Sequence, residues 1–143
     1  MYLQSPEGLV GEPCERSVEV CLIFAPVEGA FTNDPLTREI TKEEALKILL
    51  EAEEAGLIHS SANIREGHMI LCNCCTCCCG VLRGISQLGI ENSIAKSDFY
   101  VTVNLDKCAG DAVCVERCEF GALAIKDGIS HVDLKRCVGC VSA

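Results

Sequence analysis

Six cysteines lie within eight residues, from Cys72 to Cys79, and this run limits what the chain can be. Adjacent cysteines rarely reach the Cα separation and the dihedral angle that a disulfide requires. The whole chain holds 13 cysteines, which is an odd number. A framework built only from disulfides is therefore disfavoured, and cysteines that bind metal or carry out redox chemistry are favoured.

Charge and hydropathy exclude several classes of function. The first 13 residues lack the basic and apolar stretches of a secretory signal, and no apolar run approaches the roughly 20 residues that span a bilayer. The formal net charge is −9, and no basic stripe is present that could follow a phosphate backbone. We therefore expect a cytoplasmic protein in a reducing environment, with no membrane span and no nucleic-acid partner.

Local patterns divide the chain into three segments, which are 1–71, 72–98 and 99–143. The first segment is rich in turn residues, with a strand predicted over 18–24 and a helix over 42–55. A capping box formed by Thr41 and Glu44 marks the start of this helix. Gly56 is placed where a left-handed residue would end it.

The last segment contains an internal repeat with an offset of 29 residues. Residues 103–108 (VNLDKC) and 132–137 (VDLKRC) share their first, third and last residues, and each block ends on a cysteine. Between the blocks, residues 120–132 predict two strands joined by a tight turn at Asp127 and Gly128. The segment is therefore interpreted as a duplication.

The cysteines of the repeat follow the spacing of bacterial ferredoxins, Cys-x2-Cys-x2-Cys-x3-Cys-Pro, in which the fourth cysteine serves the other cluster. The first repeat fits three of the four cysteine positions, and the second fits its first two. Residues 99–143 thus resemble a bacterial dicluster ferredoxin domain with two pseudo-symmetric halves, each with a hairpin and a short helix. The resemblance implies one or two 4Fe-4S clusters and these cofactor-binding residues: Cys108, Asp111, Cys114, Cys118, Cys137 and Cys140.

Two departures from the ferredoxin pattern change what the resemblance implies. Asp111 stands at the second ligand position, and because carboxylate is a harder ligand than thiolate, we expect this cluster to lose an iron and adopt a 3Fe-4S form. The second motif ends before its last ligands, so we expect the chain to be a fragment. The resemblance assigns the cysteines to two clusters, Cys108 and Cys114 with Asp111 on one side, and Cys118, Cys137 and Cys140 on the other.

The upstream run has no place in a simple ferredoxin, and all of its cysteines are predicted metal ligands: Cys72, Cys74, Cys75, Cys77, Cys78 and Cys79. Side chains of adjacent residues diverge, so only some of the six can bind one cubane; Cys72, Cys75 and either Cys78 or Cys79 form one workable set. A short helix predicted over 81–88 would direct its positive end toward a cluster. We expect a further 4Fe-4S cluster, with a zinc knot or a redox-active thiol set as alternatives.

The run LCNCCTCCCGVLR at 71–83 follows the predicted helix and precedes the ferredoxin repeat. This arrangement resembles the C-terminal half of larger iron-sulfur proteins of anaerobic microbes. The resemblance implies that Cys14 and Cys21 belong to the end of a further cysteine cluster. On residue type alone, Cys21 is equally well explained as a small buried hydrophobe in a strand, and Cys14 as a loop residue.

Together these features predict an α+β protein with a loop-rich helical segment, a cysteine knot and a truncated ferredoxin-like domain. Its expected function is one-electron transfer between redox partner proteins through 4Fe-4S clusters. The sequence has no Ser-His-Asp constellation, phosphate-binding loop or dinucleotide fingerprint, so a carrier is favoured over a catalyst. The alternatives are an electron-relay domain or subunit of a larger anaerobic oxidoreductase, and a zinc-stabilised interaction module.

Overall fold

The computed structural model describes residues 2–3, 16, 20–31, 33–34 and 37–140. These residues form a small mixed α/β structure with antiparallel sheets and three helices. The mixed class expected from the sequence is confirmed at this level. The chain divides into two compact units, Met1–Cys78 and Cys79–Ala143. The three-segment division stays a prediction.

The first unit is built on short strands, which are β1 (Tyr2–Leu3), β2 (Cys21–Ile23), β3 (Thr37–Arg38), β4 (Ile58–Ser61) and β5 (Ile70–Cys74). They form one antiparallel sheet in the order β3-β1-β2-β5-β4. The strand predicted over 18–24 is present as β2, since apolar and β-branched residues pack well on a half-buried pleated surface. Positions 18 and 19 of that prediction lie outside the described residues.

Helix α1 (Lys42–Glu54) begins and ends at the signals that the sequence predicts. The Thr41 hydroxyl accepts a hydrogen bond from the Glu44 amide at 3.1 Å, which satisfies one of the unpaired amides of the first turn. The Glu44 carboxylate accepts a hydrogen bond from the Arg38 guanidinium, which holds the pKa of Glu44 below its usual range. After the helix, Gly56 adopts φ +71° and reverses the chain toward β4.

A small core joins the sheet of the first unit to α1. Four buried residues form it: Val20, Ala52, Leu57 and Cys75. Ile48 from α1 packs against this group, together with Cys77 and Cys78. Part of the cysteine run is therefore a component of the core and does not lie on a loop remote from it.

The second unit contains two short helices and one hairpin. Helix α2 spans Gly80–Ser86, helix α3 spans Val113–Arg117, and strands β6 (Leu123–Lys126) and β7 (Ile129–Val132) pair antiparallel. Asp127 and Gly128 join the strands with φ values of +51° and +77°. Because both turn residues have positive φ, this turn matches the twist of the two strands, and the predicted hairpin is confirmed.

The 29-residue repeat is visible in the local geometry of the second unit. The Asn104 side chain accepts a hydrogen bond from the Asp106 amide at 3.1 Å, and 29 residues later the Asp133 side chain accepts one from the Lys135 amide at 2.9 Å. The same kind of side-chain-stabilised turn therefore precedes Cys108 and Cys137.

Two glycines extend this correspondence across the halves of the repeat. Gly110 (φ +67°) approaches the Gly128 carbonyl so closely that a Cβ would lie less than 3.0 Å from its oxygen. Gly139 (φ +72°) approaches the Phe99 carbonyl in the same way. Gly110 and Gly139 are 29 residues apart, and so are Phe99 and Gly128. Each half thus places its glycine against the equivalent carbonyl of the other half.

None of the three helices in the described ranges is both long enough and apolar enough to cross a bilayer. The longest of them, α1, has 13 residues. A span of the hydrocarbon core takes roughly 20 residues in helical conformation.

Candidate metal centres

A cavity of about 330 Å³ in the second unit is lined by three of its cysteines, Cys118, Cys137 and Cys140. The rest of the wall is mainly apolar and includes Phe99 and Phe120. All three cysteines are partly buried. The cavity therefore presents soft sulfur donors to a largely apolar, partly open space.

Backbone contacts hold these cysteines in place. Cys118 caps the C-terminal end of α3, and its Sγ accepts a hydrogen bond from the Ala122 amide at 3.2 Å. The Val138 carbonyl, beside Cys137, accepts a hydrogen bond from the Ser97 amide at 3.0 Å. Gly139 lies against Phe99, where any side chain would collide. The loop that carries Cys137 and Cys140 can lie this close to residues 97–99 because it has glycine at position 139.

A second group of cysteines in this unit meets at Ser130 on β7. The Ser130 amide donates a hydrogen bond to the Cys108 Sγ at 3.4 Å, and the Ser130 hydroxyl lies 3.4 Å from the Cys114 Sγ. Ser130 is only 6% exposed. A buried residue therefore links two cysteines that are six positions apart in the sequence.

Asp111, the predicted carboxylate ligand, lies on the surface between these two cysteines in sequence. Its Oδ1 accepts a hydrogen bond from the Val113 amide at 3.2 Å, at the first residue of α3. The carboxylate thus supports the start of a short helix in this structure. Its role as an iron ligand stays a prediction.

In the first unit, Cys21, Cys72 and Cys74 form a compact group whose three Sγ atoms lie within 4.8 Å of one another. Strands β2 and β5 pair with Leu22 opposite Leu71, so the same register places Cys21 opposite Cys72. Cys74 lies two residues further along β5, on the same face of the strand as Cys72. Cys21 is buried, and the other two are partly buried. This group can hold a metal ion.

A second compact group follows β5 and consists of Cys75, Cys77 and Cys78. The Cys75 and Cys77 sulfurs are 2.8 Å apart, and the Cys77 and Cys78 sulfurs are 3.9 Å apart. Cys75 is 5% exposed and belongs to the core described above. This group can also hold a metal ion.

The two compact groups divide the cysteine run differently from the cubane set expected from spacing, which stays a prediction. Cys72 and Cys75, with Cys78 or Cys79, do not form one of the compact groups among the described residues. The reason is that β5 is extended through Cys74, so neighbours alternate between faces instead of following helical spacing. Cys79 precedes α2 as its N-cap residue.

The structure describes only one of Cys14 and Cys21, the two cysteines that precede the cysteine run. Cys21 joins a group that could hold a metal ion. In the sequence only the family resemblance connects this residue to a cysteine cluster, and nothing there shows that it meets Cys72 and Cys74. Cys14 lies outside the described residues. None of the 12 cysteines in the described part of the chain forms a disulfide.

Comparisons of the chain with known protein families, with curated proteins and with solved structures gave no match. The donor atoms of the sites indicate which metals they select. Clustered thiolates select soft metals such as zinc, copper(I) and iron in iron-sulfur clusters over hard cations such as magnesium and calcium.

Proposed function

We propose that the second unit is a ferredoxin-type domain that binds iron-sulfur clusters of the 4Fe-4S type, and that the protein transfers single electrons. The observation that carries this proposal is the cavity lined by Cys118, Cys137 and Cys140. These are the three cysteines that the ferredoxin resemblance assigns to one cluster. The resemblance to larger iron-sulfur proteins of anaerobes belongs to the same proposal.

The size of the cavity favours a multinuclear cluster over a single ion. The cavity of about 330 Å³ is partly open and has room for a group larger than a single ion. A tetrahedral zinc ion, with Zn–S distances of about 2.3 Å, draws its sulfurs to about 3.8 Å from one another. Among the described residues, neither compact group with sulfurs within 4.8 Å includes Cys118, Cys137 or Cys140. Their wider arrangement suits ligands that each bind a different iron of one cluster.

The two-fold correspondence within the second unit supports a ferredoxin-like arrangement. In a dicluster ferredoxin, each half lends its fourth cysteine to the other cluster. Here Cys118 follows the first motif in sequence but lines the same cavity as Cys137 and Cys140 of the second motif. The reciprocal contacts of Gly110 and Gly139 relate the two halves in the same way.

The residues around the cysteines suit a redox centre that keeps its ligands in place. When bound, a 4Fe-4S cluster supplies a site that accepts and releases one electron without forming a bond to a substrate. The amides of Ala122 and Ser130 donate hydrogen bonds to the sulfurs of Cys118 and Cys108. Such donors stabilise negative charge on sulfur and raise the reduction potential.

Docking to a redox partner would rely on an uneven distribution of charge. Residues 1–78 contain 13 acidic and five basic residues, whereas residues 79–143 contain eight acidic and seven basic residues. The net negative charge therefore belongs mainly to the first unit. We propose that this unit attracts basic partner proteins, with an association rate that falls as ionic strength rises.

Anaerobic purification of the full chain, with reconstitution by iron and sulfide, tests the proposal. The expected product is brown, with broad visible absorption that dithionite bleaches and about four iron and four acid-labile sulfide atoms per cluster. Cys137→Ser should lower the iron and sulfide content, whereas the matched control Cys77→Ser should leave the cluster of the second unit in place. A colourless protein with stoichiometric zinc, or unchanged iron in Cys137→Ser, would refute the proposal.

A further inference from the structure

We propose that the cysteines of the first unit form two separate sites, each for a single thiophilic metal ion, and that Cys21 is a ligand in the first site. Site 1 consists of Cys21, Cys72 and Cys74, and site 2 consists of Cys75, Cys77 and Cys78. Both sites lie within residues 1–78. The proposal does not depend on iron-sulfur binding in the second unit.

The two sites lie on opposite faces of the sheet. Cys72 and Cys74 share one face of β5, so Asn73 between them points to the other face. Cys21 lies opposite Cys72, and its neighbour Val20 therefore also faces away from site 1. Val20 packs in the core with Cys75, which belongs to site 2. Val20 and Cys75 therefore belong to the core side of the sheet, and this arrangement favours two separate centres over one cubane that takes ligands from both groups.

The strands that carry site 1 are held in position by contacts of Asn73 on the opposite face of β5. Asn73 is 2% exposed, and its side-chain amide donates a hydrogen bond to the Val20 carbonyl. Its Oδ1 lies 2.6 Å from the Nδ1 of His59, which is the residue opposite Asn73 on β4. These contacts fix the lateral position of β5 against both neighbouring strands. The cysteines on either side of Asn73 are thereby placed close to Cys21 before any metal binds.

Site 2 is formed where the chain leaves β5 and turns. Residues 76–78 form a turn, which brings Cys77 and Cys78 back toward Cys75. Cys77 and Cys78 also pack against the core that contains Ala52 of α1. The sulfurs of site 2 are thus held near one another by the packing of the helix on the sheet.

The spacing of the sulfurs fits one metal ion in each site. Three thiolates bound to one zinc ion lie about 3.8–4.0 Å apart for tetrahedral or trigonal geometry, given Zn–S distances of about 2.3 Å. Both groups have all three sulfurs within 4.8 Å, so only small side-chain rotations are needed. Ligands of a multinuclear cluster bind different metal atoms and stand farther apart. The chemical class of the ligand is therefore a soft cation that accepts three thiolates, for which Zn²⁺ is the probe.

Thiol footprinting of the full chain with Zn²⁺ tests both sites at the level of single residues. Apo protein is treated anaerobically with iodoacetamide, with and without Zn²⁺, and alkylation at each cysteine is measured by tandem mass spectrometry. Bound Zn²⁺ should slow alkylation of Cys72, Cys74, Cys77 and Cys78 by about tenfold or more, because a coordinated thiolate has to dissociate before it reacts. Cys21→Ser should abolish this protection at Cys72 and Cys74 while retaining it at Cys77 and Cys78.

The reciprocal variant and a control complete the experiment. Cys77→Ser should remove protection from Cys78 but not from Cys72 or Cys74, and Cys137→Ser in the second unit should leave both patterns unchanged. Hydrogen exchange over α1 reports whether each variant is folded. If Cys21→Ser unfolds the first unit, Cys72→Ser replaces it, because Cys72 is only partly buried. This variant should lose protection at Cys74 and retain it at Cys77 and Cys78.

Two results would overturn the proposal. In the first, Cys72 and Cys74 stay protected in a folded Cys21→Ser variant, which would mean that Cys21 is not a ligand. In the second, a folded Cys21→Ser or Cys77→Ser variant loses protection at all of the cysteines, which would mean that one shared centre occupies the run. Both results concern the first unit alone, so they are distinguishable from a failure of the second unit to bind iron.

Discussion

Replacement of Gly139 by alanine tests whether the close approach of its loop to Phe99 positions the cysteines of the cavity. Gly139 lies between Cys137 and Cys140 with φ +72°, and a Cβ would lie less than 3.0 Å from the Phe99 carbonyl oxygen. The same Cβ would be 2.7 Å from the Ser97 Cβ, whereas ordinary van der Waals contacts begin at about 3.4 Å. The loop would therefore have to move away from residues 97–99 by at least about 0.7 Å.

The expected loss of stability has a backbone part and a steric part, and a variant of a second glycine measures the backbone part alone. Alanine in a left-handed conformation costs about 1–2 kcal/mol, and a forced displacement in a packed site costs about 1–3 kcal/mol more. Gly128→Ala is the matched control, because Gly128 has φ +77° and nothing within 4 Å of its position for a Cβ. We therefore expect the free energy of unfolding to fall by about 2–5 kcal/mol in Gly139→Ala and by about 1–2 kcal/mol in Gly128→Ala.

The assay combines local hydrogen exchange with metal content. The Ser97 amide donates to the Val138 carbonyl beside Gly139, so its exchange should accelerate strongly in Gly139→Ala and much less in Gly128→Ala. After reconstitution, the first variant should also hold less iron and sulfide than the second. Equal exchange rates and equal iron contents in the two variants would show that the contact with Phe99 does not position this loop.

Two further predictions concern the cluster expected near Ser130. With a thiolate at Cys114, the Ser130 hydroxyl is the donor, so Ser130→Ala should lower the reduction potential by about 20–60 mV, the equivalent of one hydrogen bond of 0.5–1.5 kcal/mol for a one-electron couple. Voltammetry of Ser130→Thr, which keeps the hydroxyl, is the control, and an equal shift in both variants would contradict the argument. Asp111→Cys should reduce the 3Fe-4S signal in electron paramagnetic resonance after exposure to air. Asp111→Asn keeps an acceptor for the Val113 amide, and equal 3Fe-4S signals in Asp111→Cys and Asp111→Asn would count against Asp111 as a ligand.

The elements that the sequence predicts well are those determined by neighbouring residues. The start of α1 follows from Thr41 and its hydrogen bond to Glu44, which is complete within four residues. The hairpin of the second unit follows from Asp127 and Gly128, because this pair tolerates the positive φ values that the turn requires. The 29-residue repeat, predicted as a duplication, likewise appears in the structure as two equivalent turns, since each turn is stabilised by its own side chain.

The grouping of the cysteines could not be predicted in this way, because it depends on strands that are far apart in the sequence. Cys21 and Cys72 meet only when β2 pairs with β5 in one particular register. A shift of that register by one residue would place Cys21 on the other face. A run with cysteine at six of eight positions also carries no apolar-polar alternation, so the sequence does not show which residues are extended.

Side chains alternate between the two faces of β5, and this explains how so many adjacent cysteines can all serve as metal ligands. Where the run is a strand, Cys72 and Cys74 serve one face, and where the chain leaves the strand, Cys75 joins the core on the other face. A metal ion in site 1 would connect β2 to β5. An ion in site 2 would hold the turn after β5 in its position against the core, where α1 packs. The core that these ions would support is small and already includes a cysteine, so metal binding and folding of this unit should be strongly coupled. The density of cysteines then reflects two sites that share one strand, rather than an excess of ligands for a single cluster.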